Sequence, residues 1–289
     1  MNTEIKKTSA YLDLNWKHDF YQWPLLHPSV PKSTQLKFWA TDSKSLFEKN
    51  KATTPENWIY HNKDITYNFN SHGLRQKKEL SEIDQDNYIY ATGGCIAMGV
   101  GINEEERYTD IVANTLGMDL ITWGSPLGSL KFQTINFMNM LNVAPKLPKI
   151  VIAYHAPYSN TIFYSQDEFL LYTKDILAAD PEKYPHHLEA YKALLNTDYA
   201  IQEGHLWRHI MKTTCRSAGI KFIDVSFFAD DPYVLESETL RVDMRKKMDD
   251  INYTWARDYK MEALNGTPYA SHAGVGVHKE LGELILKHL

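Results

Sequence analysis

A chain of 289 residues, 43% hydrophobic and 23% charged, has room for one large domain or one domain with an extension, and its make-up is ordinary for a globular protein. Its net charge of −5 gives no electrostatic reason to expect nucleic acid or an anionic membrane as partner. No apolar run reaches the roughly 18 residues that span a bilayer, no apolar segment follows Lys6-Lys7, and Cys95 and Cys215 are too few for a disulfide framework, so a cytoplasmic protein with reduced thiols is expected.

In chain order, residues 1–57 stand apart. They are rich in Trp16, Phe20, Tyr21, Trp23, Phe38 and Trp39, without a sustained helical or strand period. Aromatics at that density bury large areas, so this extension reads as an arm packed on the domain or on a second copy of the chain. The domain proper is placed at 58–289.

From Tyr88 the pattern is regular. Tyr88-Ile89-Tyr90-Ala91 is an apolar run ending in Thr92-Gly93-Gly94, which suits a buried parallel strand entering a tight loop. Asn103 before Glu104-Glu105-Glu106 predicts a helix N-cap with an acidic first turn, the helix ending at Gly117. Strands are expected at Leu120–Thr122, Lys149–Tyr154 and Ile220–Val225, with a helix over 131–141. Residues 165–217 read as broken helix, of which about 165–205 is an insertion that overhangs the strand edge as a lid or substrate wall. A terminal helix begins near Val277, with Leu281, Leu284, Ile285 and Leu289 on one stripe. Strands alternating with helices imply parallel crossovers and a sheet covered on both faces, with ligands beyond the carboxyl ends of the strands.

Three signals for chemistry lie on that edge. Cys95 follows a strand in the glycine-rich run Thr92 to Gly101, where backbone N–H groups favour a thiolate. His272, in Ser271-His272-Ala273-Gly274, sits in a loop from which an imidazole reaches across the edge as a base. Asn160 follows the third strand, where an amide helps to bind an oxyanion. His278 is expected in the first helical turn, capping or packing. His205 and His209 stand four apart but lack the acidic partner of a metalloprotease helix. The glycine loop has neither the Lys-Ser/Thr of a phosphate loop nor dinucleotide spacing. No cofactor or metal is expected.

Together these residues resemble the SGNH (GDSL-type) hydrolase superfamily. Ile65 to Arg75 is similar to the "N-s-x-G-[FL]-R" stretch that precedes its first block. Ala91 to Gly101, with Glu104 to Tyr108 and Leu116-Gly117, is similar to "G-D-S-x-T-x-G-x-G…E-x-x-Y…L-G". Trp123 to Ser129 resembles the glycine-bearing second block, and His272-Ala273-Gly274-x-x-x-His278 resembles "H-P-[GN]-x-x-x-H". The resemblance implies a flavodoxin-like three-layer α/β/α sandwich with a parallel sheet. It implies Cys95 as the nucleophile in the place of Ser, His272 as base, and an oxyanion hole from the Cys95 N–H, Gly124 or Gly128, and Asn160. Gly94 replaces the Asp of the first block. The acid expected about three residues before the His is missing: Tyr269 stands there, with Asn265-Gly266 as a displaced remnant.

The function expected is hydrolysis of acyl or acetyl esters, on a small-molecule or carbohydrate substrate, through a Cys–His centre. The other reading is a catalytically silent protein of this fold that binds or assembles, its aromatic arm making a homo-oligomer or complex.

Overall fold

The computed structural model describes residues 23–26, 29–126, 128–154, 160–163, 169–172, 199–227, 239–247, 249–259 and 272–289. Two short strands, β1 (Thr34–Leu36) and β2 (Tyr67–Phe69), pair antiparallel with Gln35 opposite Asn68. Between them lies α1 (Lys44–Thr53), begun by Ser43, whose hydroxyl accepts from the Leu46 N–H.

The main sheet starts with β3 (Tyr88–Gly93), followed by the short helix α2 (Cys95–Met98) and by α3 (Tyr108–Leu116). Then come β4 (Asp119–Gly124), α4 (Leu130–Val143) and β5 (Ile150–Tyr154). A hairpin of β6 (Asn160–Phe163) and β7 (Phe169–Tyr172) precedes α5 (Tyr199–Ser217), β8 (Lys221–Ser226) and β9 (Leu240–Arg241). The chain ends with α6 (Ile251–Thr254) and α7 (Val275–His288).

Strands β4-β3-β5-β8-β9 form one sheet, parallel throughout. Counted along the chain, that order is 2-1-3-4-5, the doubly wound order of flavodoxin-like folds. Alternation along each strand fills both faces. Ile89, Ala91, Ile150 and Ile152 face α3 and α7 (Tyr108, Val112, Leu281, Ile285), whereas Tyr88, Tyr90, Val151 and Ala153 face α4 and α5 (Phe132, Phe137, Met211, Cys215). The result is the three-layer α/β/α sandwich.

Several expectations are adjusted. The Asn103 capping box closes only a 3-10 turn at Glu104–Glu106; Arg107 is extended, its guanidinium donating to the Arg75 carbonyl, and α3 starts after it. Helix was expected from Ser165, but Phe169–Tyr172 is a strand. Its aromatic and aliphatic run pairs in register with Asn160–Phe163, and local helical pattern yields to that pairing. Residues 173–198, most of the expected insertion, lie outside the described residues. The short edge strand β9 gave no signal in the sequence, its two residues being too few for any period.

The described part of the aromatic-rich segment packs on the sheet domain. Val30, Trp39 and Phe47 join the α3/α7 side and Trp23, Leu25 and Leu26 the α4/α5 side. The Leu25 N–H donates to Asn136 Oδ1 (2.8 Å), and Trp123 Nε1–H donates to the Leu25 carbonyl (3.1 Å). Among the described residues no helix is long and apolar enough to cross a membrane.

Candidate active site

The central strand β3 delivers Cys95 to the carboxyl edge of the sheet, two residues past its end. Cys95 opens α2, so the first N–H groups of that turn have no partner within the helix. The helix is one turn long because Gly99 ends it in the left-handed conformation, φ 75°. Its exit is then clamped from below. Arg75, only 1% exposed, donates to the carbonyls of Met98 (2.7 Å), Gly99 and Ile102 (2.6 Å), and its guanidinium lies 4.2 Å over the Tyr67 ring. Burial first, then the neighbouring Arg107 charge, pushes Arg75 down to about 10, which leaves it charged at neutral pH.

His272 arrives from the other end of the chain. Trp255 and Ala273 form an antiparallel bridge, flanked by Ala256 N–H donating to the His272 carbonyl (3.1 Å) and Gly274 N–H donating to the Thr254 carbonyl (2.8 Å). A side chain at Gly274 would meet the Trp255 backbone nitrogen at 2.6 Å, so glycine is what lets these segments touch. Three residues past the bridge, Asp258 turns its carboxylate to the imidazole. His272 Nδ1 lies 2.6 Å from Asp258 Oδ2, with the aspartate 1% and the histidine 15% exposed. The Cys95 thiol is within hydrogen-bonding reach of the same ring. With Nδ1 on the carboxylate, Nε2 is the nitrogen left for sulfur.

The electrostatics match this arrangement. Burial opposes a charged imidazole, but Asp258 and then Cys95 outweigh it and hold His272 well above the usual histidine value. Burial likewise opposes the Asp258 carboxylate, but the His272 charge and hydrogen bonds from His272 and Thr41 hold it below the usual carboxylate range. His278, expected to cap or pack, does pack. Its ring stacks on Tyr108 at 5.6 Å, and its Nδ1 accepts from the Tyr108 N–H (3.2 Å). Burial, then the charges of Arg107, His272 and Arg75, depress it to about 3. Because the unfolded chain takes up that proton between about 6.5 and the folded value, the contribution of neutral His278 to stability is lost as pH falls through this window. In an imidazole-resolved nitrogen NMR titration between pH 5 and 8, the His278 ring stays neutral while the His272 ring titrates above the usual histidine value; a His278 that titrates near 6.5 contradicts this.

The sequence-derived oxyanion residues fare differently. Gly124 ends β4 opposite Gly93, and a side chain there would meet Met98 Cβ at 2.8 Å, so it seats α2 against the sheet. Gly128 donates its N–H to the Ser125 carbonyl (3.0 Å), and a Cβ there would meet the Gly93 carbonyl oxygen at 2.8 Å. That glycine allows close packing beneath the turn that carries Cys95, and its N–H is already engaged. Asn160 opens β6 opposite Tyr172, and its side chain lies outside the described residues.

Asn265 and Tyr269, considered for the acid position, also lie outside the described residues; the carboxylate found on His272 is Asp258. Sequence reasoning missed it because it searched three residues before the histidine, whereas Asp258 is fourteen away in sequence. A signal was present: Asp258 and Glu262 are the only acidic residues between Asp250 and His272. The other cysteine, Cys215, is buried against α4 and β-sheet residues, and burial pushes its thiol up to about 12.

No protein-family profile and no curated protein matches the chain. Among solved structures it is similar to a G-D-S-L family protein from Desulfitobacterium hafniense DCB-2, with TM-score 0.40 and 13% identity over 70% of this chain and 99% of that one. It is also similar to a member of the lipolytic protein G-D-S-L family from Veillonella parvula DSM 2008 (TM-score 0.32, 13% identity, 69% of this chain, 96% of that). A third is a Corynascus thermopiles (Myceliophthora fergusii) carbohydrate esterase family 2 enzyme with a carbohydrate-binding domain (TM-score 0.34, 11% identity, 70% of this chain, 65% of that).

Proposed function

We propose that the protein is an ester hydrolase whose nucleophile is the Cys95 thiol, activated by His272 and Asp258. The observation that supports this is the linear arrangement of a thiol at a helix start, an imidazole within reach of it, and a buried carboxylate 2.6 Å behind that imidazole. The silent-protein reading drew on a missing acid, and Asp258 occupies that role.

In this reading the Cys95 proton is already held on His272 Nε2, and the thiolate Sγ attacks the ester carbonyl carbon. The oxyanion is held by N–H groups at the start of α2, with the Gly124 N–H and the Asn160 amide as further donors. Collapse breaks the carbon–oxygen bond, and the departing alkoxide takes the proton from His272. A thioester on Cys95 remains. Water then gives a proton to His272 and attacks that thioester; sulfur leaves as the thiolate, the proton stays on His272, and the acid departs. Asp258 offsets the imidazolium charge in both halves. The substrate proposed is a small-molecule or carbohydrate ester, acetyl esters included.

Alkylation tests the nucleophile without knowledge of the substrate. At pH 7, iodoacetamide should label Cys95 at least about a hundredfold faster than Cys215, because the thiolate is the reacting form. Equal, slow labelling of both thiols would sink the proposal.

A further inference from the structure

Thr41, which lies ahead of α1 in the amino-terminal segment, donates its hydroxyl to Asp258 Oδ2 at 2.5 Å. That is the same oxygen on which His272 Nδ1 sits. The other oxygen, Oδ1, has no hydrogen-bond partner among the described residues. The backbone on both sides of Asp258 is held as well. Asn50 Nδ2 donates to the carbonyls of Arg257 (3.1 Å) and Tyr259 (2.8 Å), and the Arg257 N–H donates to the Gly101 carbonyl (2.9 Å) in the turn that follows α2. The main chain of the acid is thus fixed by Asn50, and its carboxylate is held by Thr41 together with His272.

We infer that Thr41 is a positioning residue for the Cys95–His272–Asp258 centre: its hydroxyl selects which carboxylate oxygen meets the imidazole. This rests on the catalytic reading above. Two effects compete when the hydroxyl is removed. The carboxylate becomes more basic, which favours the imidazolium, and it becomes free to turn, which costs the alignment. Alignment wins, because Thr41 and His272 Nδ1 meet on one oxygen, Oδ1 has no partner among the described residues, and the only further hydrogen bond to the carboxylate comes from the His272 backbone. The residue itself is solvent-exposed, so replacing it removes little packing.

The test is the rate of Cys95 alkylation by iodoacetamide from pH 4 to 9 in wild type, Thr41→Val and Thr41→Ser, with thermal melting alongside. In Thr41→Val the rate near pH 6 should fall on the order of tenfold, the worth of one hydrogen bond to a charged group, and the midpoint of the rise should move to higher pH. Thr41→Ser, which keeps the hydroxyl, should restore both with an unchanged melt. If the valine chain does not fold, Thr41→Ala and Thr41→Ser carry the same comparison. A Thr41→Val profile that overlays wild type overturns the inference while fast Cys95 labelling leaves the catalytic reading standing. Slow Cys95 labelling in wild type overturns both.

Discussion

Replacing Asp258 with Ala should lower kcat/KM for an activated acetyl ester by about 10^3- to 10^4-fold, the scale set by removing the orienting acid from other nucleophile–histidine centres. The carboxylate is 1% exposed and is the hydrogen-bonded partner of His272 Nδ1, so no water takes over its role without cost. The histidine would lose both the charge that keeps it protonated and the bond that aims Nε2 at sulfur. Asp258→Asn should be milder. An amide oxygen in the place of Oδ2 still accepts from Nδ1, and thiol centres operate with an asparagine there. Steady-state kinetics on the two variants separate these effects: a loss for Ala well beyond that for Asn is expected, with KM little changed in both. An Asp258→Ala enzyme within a few-fold of wild type would remove the acid from the mechanism.

The second large effect concerns stability. Asp42 and Arg257 are 1% and 2% exposed, and Arg257 Nε and Nη2 lie 3.0 and 2.6 Å from the two carboxylate oxygens. Tyr67 donates to the same carboxylate (2.5 Å), and Arg257 Nη2 also donates to the Lys37 carbonyl (2.5 Å). Burial raises the Asp42 carboxyl above its usual value, even against the guanidinium and the tyrosine hydroxyl. Desolvation therefore takes back much of what the pair gains, and the intact pair is worth little beyond an apolar filling. Breaking it is different, because Asp42→Ala strands a charged Arg257 beside Asp258. A loss of about 3–5 kcal/mol is expected, seen as a fall in Tm on the order of 10 °C. The double variant Asp42→Leu/Arg257→Met should recover most of it. If the double variant is as unstable as the single, the unpaired charge is not the cause.

The same geometry explains what the sequence made legible. The buried strands β3 and β5 announce themselves as continuous apolar runs because a parallel sheet covered on both faces needs side chains on both. Cys95 and His272 stand out in the sequence because each follows a strand or precedes a helix at a place that local pattern marks. Asp258 and Thr41 were not, since each acts through tertiary closure. Residue 258 reaches the histidine by way of the Trp255–Ala273 bridge, and residue 41 reaches residue 258 across more than two hundred positions of chain. No period in a sequence records such contacts. Gly128 is ambiguous in the sequence for a related reason. A glycine near a nucleophile turn serves equally as an N–H donor and as room for a neighbouring carbonyl, and only coordinates show that its N–H is spent on Ser125.

The amino-terminal segment also gains a definite place in the account. Asn50 holds the backbone on both sides of Asp258, Asp42 holds the neighbouring Arg257 guanidinium, and Thr41 touches the Asp258 carboxylate itself. An arm read from its aromatic content as a docking element thus supports, over its described part, the residues around Asp258 in the candidate site.

The most direct test is hydrolysis of p-nitrophenyl acetate by wild type, Cys95→Ala, His272→Ala and the double variant Cys95→Ala/His272→Ala, each checked for folding by its melt. Groups that act as one unit are strongly non-additive. The account predicts that either single substitution removes essentially all of the turnover and that the double loses no more. Wild type no faster than Cys95→Ala, or losses that multiply in the double variant, would contradict a single Cys95–His272–Asp258 centre.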